Sequence, residues 1–592
     1  MKTMKMTKDM SNLEVAELLR AISASYELTD PKKNKFRIIA YNRAADAIEH
    51  LSSEVKDIWD DGKLEDIPGV GPSISENIGE IFQFGKSKHF EEIMKDFPPA
   101  IFELIPLPRI GAKTAFKLVT QLGINSISDL EKKAKDGEIS KLEGFGEESQ
   151  ADILEAIKEY KNKKHRLLIP YAEQISNEVI EWMKKDESIV KIDPLGSLRR
   201  KASTIGDIDI SVASKDTVNT ITHFCNYPKA KKIIEKGSRT ASILLPNEIQ
   251  VDLMVQSPES YGALLAHFTG SKHHNIALRE FALKKGLSIS EYGIKAAGKL
   301  NKFPDEDSFY KYLGLNFIPP EMREDSGEIE ASLENKIPYL VDVKDIKSDL
   351  QIHSDFDTET RLDLGESSMQ EIIDKANNLN YEYIAFTEHN PSSSKHSPKE
   401  INDIIKRKKE YIDKLNYSYV NSVKGSVKYV FNSLEVDILQ DGNLPLDDKA
   451  LDLLDFALVS IHSSFKMPRD VMTKRIINAL SHKKTKIFAH PTTRKLNVRE
   501  GIEINWPEFF SFCKKNNKWI EIDADPMRLD LPDSLVKDAI KEGILLTLGT
   551  DSHHKDSMDN MKYGVSVARR GWATKNDIVN TRGLIEFKKM IK

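Results

Sequence analysis

Two short apolar stretches in the middle of the chain each carry acid where a buried strand should carry none, and this restricts the fold more than any other feature. The first, Gly206-Asp207-Ile208-Asp209-Ile210, begins ten residues after the start of Gly196-Ser197-Leu198-Arg199-Arg200. Read as a strand over 207–212, it turns Asp207 and Asp209 to one face and Ile208 and Ile210 to the other, because side chains alternate across a pleated strand. The second, 249–255 (IQVDLMV), puts Ile249, Val251, Leu253 and Val255 on a buried face and sends Asp252 to the opposite side. Neighbouring carboxylates repel, and an acid in so apolar a strand is costly without a partner. Three aspartates on one sheet face make a hard oxygen site suited to two Mg²⁺ ions, the arrangement that clamps the attacking and leaving oxygens of an in-line phosphoryl transfer. Gly196 and Ser197 offer a hydroxyl and close backbone amides to a triphosphate, and Arg200 a charge-assisted fork. A lone Asp-x-Asp would more often be a pair of turn acids at a strand start; the Gly-Ser ahead and the second acidic strand behind favour a site.

The N-terminal third, to about residue 163, reads as all-α. Ser11-Asn12-Leu13-Glu14 has the form of a capping box, with Val15, Leu18, Leu19 and Ile22 following at helical spacing. A second helix runs through Phe36, Ile39, Ala40, Ala44, Ile48 and Leu51. Within this region an apolar–glycine turn precedes a helix three times: Ile67-Pro68-Gly69-Val70-Gly71, Leu107-Pro108-Arg109-Ile110-Gly111 and Leu142-Glu143-Gly144-Phe145-Gly146. Such a turn points free N–H groups outward beside the positive end of a helix dipole, which suits a phosphate. One copy is as readily a plain connection between packed helices; three copies in one helical region favour nucleic acid. The second copy has Arg109 where the first glycine is expected, so its amides are expected to be less accessible. The basic block 158–166 (KEYKNKKHR) reads as a solvated helix end or linker.

Charge alone does not suggest this. The 592 residues include 87 basic and 92 acidic side chains, a formal net charge of -5, so any grip on nucleic acid rests on local patches and backbone amides. Forty per cent hydrophobic residues argue against a disordered chain, and the absence of any run of eighteen apolar residues argues against a membrane span. Residues 1–10 lack the apolar segment of a secretory signal. The two cysteines, Cys225 and Cys513, are far apart, which suits a reducing compartment; the cytoplasm is expected.

From 319 to 338 the chain is polar and acidic (PPEMREDSGEIEASLENKIP) and reads as a linker. Beyond it, short apolar strands alternate with helical segments, as in a βα barrel. The strand ends carry His353, His389, Glu435, His462, His490, Asp551 and His553. A single histidine past a strand is ordinarily structural; a whole series is hard to explain that way.

The central residues resemble the palm of the nucleotidyltransferase superfamily, and specifically of family X DNA polymerases. The similarity continues past the aspartates. Phe268-Thr269-Gly270-Ser271 looks like the family's sugar-contacting turn, and Asn275 and Arg279 fall where the family contacts the incoming base's minor groove and the template strand. His267 stands where vertebrate members commonly carry tyrosine. Ala40-Tyr41, Arg43 and Ala44-Ala45 resemble the small N-terminal domain that holds a 5′-phosphate in a gap, which implies Arg37 and Tyr41 as its contacts. The glycine turns look like helix-hairpin-helix motifs, implying DNA-backbone contacts at Gly69, Val70, Gly71, Ile110, Gly111, Gly144 and Gly146. Animal repair members form a Schiff base through a lysine in the helix after the first turn; Asn77 stands there, and no amine means no imine.

The C-terminal series looks like a PHP (polymerase and histidinol phosphatase) domain, a trinuclear metallo-phosphoesterase barrel that follows the polymerase in many bacterial and archaeal family X chains. The likeness implies a 3′–5′ nuclease role, with imidazoles and bridging carboxylate suited to Mn²⁺, Zn²⁺ or Fe. This chain departs from the pattern at three places. Gln351-Ile352-His353 replaces the usual His-x-His, the usual aspartate falls on Thr358 with Asp357 adjacent, and Glu388-His389 replaces Asp-His.

The expected chain is multidomain: an N-terminal helical domain with the first helix-hairpin-helix (1–90), a helical DNA-binding domain with further motifs (91–163), an α/β nucleotidyltransferase palm (164–256), a thumb (257–318), a linker (319–340) and a (β/α) PHP barrel (341–592). The resemblance implies gap filling in DNA repair, with a primer 3′-hydroxyl attacking the α-phosphate of a dNTP and releasing pyrophosphate. Asp207 and Asp209 would bind both Mg²⁺ ions and Asp252 the catalytic one, while Gly196, Ser197, Arg200, Gly206, Phe268, Thr269, Gly270, Asn275 and Arg279 would hold the nucleotide. The expected partners are gapped or primer-template DNA with a 5′-phosphate and dNTPs, with no membrane and a monomeric chain. The PHP module is expected to bind metal with a reduced complement, leaving exonuclease activity and a degraded site both open. Two rivals are a template-independent nucleotidyltransferase acting on RNA or a small molecule, and a non-catalytic DNA-end scaffold. The glycine turns with 268–279 oppose the first, and the intact aspartates oppose the second.

Overall fold

Ser11 and Glu14 close a reciprocal capping box at the start of the helix Asn12–Thr29, as the spacing predicts. The computed structural model describes residues 6–8, 10–49, 51, 54–107, 109–162, 166–420 and 425–592. Pro108 of the second glycine turn, 163–165 of the basic block with the boundary drawn at 163, and residues 1–5 and 9 lie outside the described residues. The chain divides into two compact units. One comprises Met1–Leu198, Ile205–Leu265 and Asn497–Arg499, the other Arg199–Thr204, Ala266–Leu496 and Glu500–Lys592.

In the first unit, described residues up to Asn162 form helices and turns. Val15, Leu18, Leu19 and Ile22 pack with Tyr41, Ala44, Ala45 and Ile48 of Lys35–Glu49 and with Ile74, Ile78 and Ile81 of Pro72–Phe84. A second apolar cluster joins Ile101, Leu107, Ile110, Leu118, Leu130, Ile153 and Ile157. Each such side chain contributes about 1.5–3 kcal/mol on full burial. The three glycine turns follow one backbone course. The N–H groups of Val70, Ile110 and Phe145 return to the carbonyls of Ile67, Leu107 and Leu142 at 3.0, 3.2 and 2.9 Å. The preceding residue is left-handed each time: φ is +86° at Gly69, +66° at Arg109 and +86° at Gly144. A Cβ on Gly69 would lie 2.8 Å from the Ala44 backbone nitrogen, so only glycine fits there. Arg109 takes the same course at a cost of about 1–2 kcal/mol. Its departure from the pattern is therefore one of side chain and not of backbone.

The sheet of this unit has five strands in the order Ile189–Pro194, Ile208–Ser214, Gln250–Gln256, Thr240–Leu244 and Lys232–Lys236. Ile208–Ser214 and Gln250–Gln256 run parallel and the other pairs antiparallel. Ile208, Ile210, Val212, Val251, Leu253 and Val255 are buried, matching the alternation in the sequence. The first acidic strand begins at Ile208, one residue later than expected, which leaves Asp207 exposed in the bend at its mouth.

The second unit opens with the helix Lys272–Leu283, an antiparallel sheet of Leu287–Ser290, Gly293–Ala296 and Lys299–Asn301, and the helix Glu306–Tyr312. Arg323, with no exposed surface, organises it. Its guanidinium donates to Glu306 Oε1 at 2.6 Å and twice to the Ile318 carbonyl at 2.9 and 2.7 Å, and it lies against Tyr310 and Phe317. Arg199 forms a fork on the same carboxylate at 3.1 and 2.6 Å. The first part of the expected linker, as far as Ser332, thus contributes buried residues to this unit. Met322, Arg323 and Glu328 are buried, Glu328–Leu333 is helical, and Glu328 meets His274 Nδ1 at 2.6 Å. The polar composition of this stretch conceals charges that are paired inside the protein.

Beyond it, parallel strands alternate with helices as expected, and among the described residues they form two sheets. Ser348–Ile352, Tyr383–Phe386 and Tyr429–Asn432 make one sheet. Glu435–Asp437, Ala457–Ser460, Thr485–Phe488, Trp519–Asp523 and Leu546–Gly549 make another. Single bridges pair His389 with Glu435 and Ile352 with Ser552. Ser433 and Leu434 interrupt what would otherwise be one strand, so the expected barrel ladder is divided there. Cys225 and Cys513 are buried and unpaired, and among the described residues no helix is long and apolar enough to cross a membrane.

The Arg199–Glu306–Arg323 group sets a pH-dependent stability. Burial alone would raise the Glu306 carboxyl, but Arg323 and Arg199 outweigh it and hold it below the usual carboxylate range. A depressed folded-state value means stabilisation present above the unfolded value of about 4.3, and lost as pH falls through the folded one. Glu306→Gln should destabilise this unit by about 3–5 kcal/mol at neutral pH. Thermal unfolding from pH 7 to pH 3.5 should show the gap between variant and parent narrowing below pH ~4.3.

Candidate active sites

Asp209 and Asp252 are direct register partners on adjacent parallel strands, so their side chains leave the same sheet face side by side. The backbone at Gly196 is folded against them. Its φ is +54°, a Cβ there would sit 2.6 Å from Asp209 Oδ2, and the Leu195 N–H donates to the Asp209 carbonyl at 2.8 Å. Asp252 accepts from Gln250 Nε2 at 2.8 and 3.0 Å and from the Ser242 hydroxyl. Neither partner was anticipated from the sequence. Gln250 could have been, since it lies two residues away on the same strand face; Ser242 comes from the neighbouring strand. Asp207 stays exposed at the strand mouth. Among the described residues, the trios of ligating atoms gathered within 4.8 Å all lie in the second unit, so these three carboxylates do not form one. The donor set, all hard oxygen, fits Mg²⁺.

Gly206 belongs to the same unit, whereas Arg200, Phe268, Thr269, Gly270, Asn275 and Arg279 belong to the second. There they are tied to one another. Arg200 Nε donates to Glu324 at 2.9 Å, and its NH1 lies 3.0 Å from where a Gly270 Cβ would be. The buried Thr269 takes a hydrogen bond from Arg199 on its hydroxyl and one from Arg200 on its carbonyl. Asn275 donates to the His267 carbonyl at 2.6 Å and Arg279 approaches His267 Nδ1 at 3.3 Å, while the His267 ring meets Phe268 edge-on. Burial, reinforced by Arg279, lowers the His267 pKa.

In the helical region Tyr41 is buried against Tyr26 and Phe90, and Arg37 lies over the Tyr26 ring with a bond to Asn34 at 3.3 Å. Tyr41 is thus a core residue first. Asn77 is also built in, donating to the Ser73 carbonyl at 2.6 Å and accepting from Ser87 at 2.7 Å. Between the second and third glycine turns lies a concavity of about 440 Å³ lined by Arg109, Ile110, Lys113, Lys117, Gly144 and Phe145.

The C-terminal series converges completely. Glu435 is the centre: His353 Nε2, His389 Nδ1 and His462 Nε2 each lie 3.3 Å from its carboxylate, and His490 Nε2 lies 2.7 Å away. Asp551 approaches His353 at 3.1 Å and His553 at 4.0 Å. Three trios gather ligating atoms within 4.8 Å: His353, His389 and His553; His389, Glu435 and His462; His353, Glu435 and Asp551. His353 Nε2, His389 Nδ1 and His553 Nε2 are buried without a hydrogen bond. Buried donors and acceptors left so are rare, and this concentration of them fits a cation. Two members are also left-handed without being glycine, His490 at φ +29° and Asp551 at +49°, strain of the kind that gathers at functional sites. Burial opposes charge on His353, but Asp551 and Glu435 raise it to about 10.

The departures from the PHP pattern have clear structural outcomes. Gln351 donates its amide to Glu435 at 3.2 Å and to Asp551 at 3.3 Å, standing on the same carboxylates that His353 touches. Thr358 turns its hydroxyl to the His389 carbonyl at 2.7 Å. Asp357 is exposed and caps the Glu359 N–H at 2.6 Å, so it does not replace the missing charge. Glu388 points away from the cluster to the fully buried Lys408 at 2.6 Å and to Ser354. Sequence reasoning missed Lys408, and also Asp437, which holds His462 Nδ1 at 2.6 Å and leaves Nε2 facing Glu435. It missed the buried acids Glu521 and Asp523 and the adjacent Arg528 as well. The alternating pattern of the strand 519–523 carried the signal for the two acids.

Family models match residues 10–87 (helix-hairpin-helix domain), 101–159 (SAM-like helix-hairpin-helix tandem) and 264–324 (DNA polymerase beta thumb). The chain is 32% identical over 587 residues to the DNA polymerase/3′-5′ exonuclease PolX of Bacillus subtilis (strain 168), covering 98% of this chain and 100% of that protein. It is 23% identical over 346 residues to DNA polymerase lambda of Rattus norvegicus, covering 53% of this chain and 56% of that one. With acidic strands in register, helix-hairpin-helix turns and a polymerase thumb in one sequence that aligns from end to end with PolX, the chain belongs to the family X DNA polymerases.

Proposed function

We propose that the chain fills short gaps in duplex DNA by template-directed nucleotidyl transfer. The observation that carries this reading is the in-register pair Asp209–Asp252 beneath the Gly196 turn. We assign Asp207 and Asp209 to both Mg²⁺ ions and Asp252 to the one nearest the primer 3′-hydroxyl. When bound, such ions clamp the attacking and leaving oxygens of an in-line displacement. The protein's own part is positioning. Gln250 and Ser242 hold the Asp252 carboxylate in one orientation. Gly196, Ser197 and Gly206 present backbone and hydroxyl to the triphosphate, and Arg200 exchanges Glu324 for phosphate oxygen. Phe268, Thr269, Gly270, Asn275 and Arg279 receive the nucleotide. The turns at 69–71, 110–111 and 144–146 take the DNA backbone. The division at residues 90, 163, 256 and 318 belongs to the same proposal, as do a monomeric state, a cytoplasmic location and a repair role.

The histidine–carboxylate cluster favours a second activity. PolX of Bacillus subtilis is named for a polymerase and a 3′-5′ exonuclease. For this chain we propose a phosphodiesterase site of reduced metal content, one or two ions of Mn²⁺, Zn²⁺ or Fe, with weak 3′–5′ exonuclease activity. His389, Glu435 and His462 bring their ligating atoms together, whereas Gln351 offers an amide where an imidazole would bind a borderline metal better.

Primer extension on gapped DNA tests the first reading. Asp252→Ala should abolish nucleotide addition, a loss of several kcal/mol in transition-state stabilisation, while DNA affinity measured by anisotropy stays within about twofold. Extension near the parental rate would sink the assignment. A 5′-phosphate in the gap should strengthen binding through Arg37, and Arg37→Ala should remove that difference, with no borohydride-trapped adduct at residue 77. For the second reading, elemental analysis of the full chain should find fewer than three ions bound in the C-terminal site, and Gln351→His should add metal and speed digestion of a 3′-recessed duplex in Mn²⁺. Three tightly held ions with rapid digestion in the unaltered chain would overturn it.

A further inference from the structure

The buried arginines of the C-terminal half mostly spend their donors on backbone carbonyls. Arg475 donates to Leu439 and Ser463 at 2.8 and 3.1 Å, and Arg494 to Arg528 at 2.9 Å and to Leu529. Arg528 is different. Its side chain is 14% exposed, and its guanidinium makes no hydrogen bond with any described residue. Three carboxylates surround it at longer range, and for each the nearest guanidinium atom is Nε: Asp523 at 3.6 Å, Asp551 at 3.7 Å and Asp525 at 3.9 Å. None of the three acids therefore comes within hydrogen-bond distance of the two terminal NH₂ groups. Asp551 is a member of the metal-fitting cluster, and Arg528 is close enough to His490 and Glu435 to act on both electrostatically.

The loop that carries Arg528 is fixed through its backbone. The Arg528 and Leu529 carbonyls accept from Arg494, the Arg528 N–H returns to Asp525 at 2.8 Å, and Met527 accepts from the Leu496 N–H at 2.7 Å. Asp530 binds the Thr492 N–H at 3.1 and 2.9 Å and its hydroxyl at 2.9 Å, fixing this loop to the one that follows His490. A planar fork without hydrogen-bond partners among the described residues, carried on a fixed loop beside that cluster, is suited to a phosphate group.

We propose that Arg528 is the anion-binding residue of the C-terminal site, its terminal NH₂ groups taking non-bridging oxygens of a phosphate ester held against the cluster of His353, Glu435, His490 and Asp551. This rests on reading that cluster as a phosphoesterase site. The alternative role, a counter-ion that merely keeps Asp523, Asp525 and Asp551 in position, predicts a different outcome.

The test uses the full chain loaded with Mn²⁺ and inorganic phosphate as the probe, with phosphate affinity read by calorimetry and manganese content by elemental analysis. Arg528→Met should weaken phosphate binding about tenfold or more. Arg528→Lys, which keeps a charge beside the acids but lacks the fork, should fall between that and the parent, with manganese content unchanged. The lysine variant guards against a methionine variant that fails to fold. Parental phosphate affinity in Arg528→Lys overturns the proposal if Arg528→Met shares it, and so does loss of manganese from Arg528→Lys, which would mark a purely positional role. Phosphate binding indifferent both to manganese removal and to His462→Ala would instead overturn the phosphoesterase reading, and this proposal with it.

Discussion

The carboxylate of Glu435 is approached by Gln351, His353, His389, His462 and His490, side chains delivered by four separate segments. Among the described residues of the second unit no other carboxylate is approached by so many imidazoles, and it is buried. A buried anion is tolerable only when charge and hydrogen bonds answer it. The parallel strands that end around it, and the strained residues His490 and Asp551, make sense as the means of answering it. The second layer serves the same end: Asp437 turns His462, Lys408 draws Glu388 aside, and Asp530 ties two of the loops together.

The first unit solves a related problem with fewer parts. There the like charges of Asp209 and Asp252 are set side by side by strand register alone, and the neighbouring groups Gln250 and Ser242 satisfy one of the two. The palm carboxylates lie at a partly open sheet face and the C-terminal ones inside the protein. Hard oxygen ligands at an accessible face suit ions that come and go with a nucleotide. Imidazoles in a closed pocket suit ions that stay.

How much of this the sequence discloses depends on the range of the interaction. Strand alternation places Asp252 opposite Val251 and Leu253 because the pattern has a period of two, and the C-terminal candidates stand out because they lie at the ends of apolar strands. Pairings across long separations leave no such trace. Arg323 sits in a stretch that composition marks as a linker, yet its partners are Glu306 and the Ile318 carbonyl, with Arg199 on the same carboxylate. Lys408 looks like any other lysine of a charged helix and is fully buried on Glu388. The break at Ser433 and Leu434 is hidden for a similar reason, since a strand's interruption is decided by neighbours and not by its own composition.

Arg109 shows what a pattern of glycines conceals. Its backbone occupies the left-handed region that Gly69 and Gly144 occupy in the other two turns, and the helix that follows starts in the same way. A turn of this kind is therefore a shape before it is a sequence, and evolution can spend conformational strain there to gain a side chain at a place where its siblings have none. At Gly69 the neighbouring backbone forbids that exchange, whereas at Arg109 a long cation has been admitted to the rim of a concavity that two of the turns share. Turns alike in backbone can in this way differ in chemistry, and the copy furthest from the glycine pattern is the one that sets a guanidinium beside the concavity.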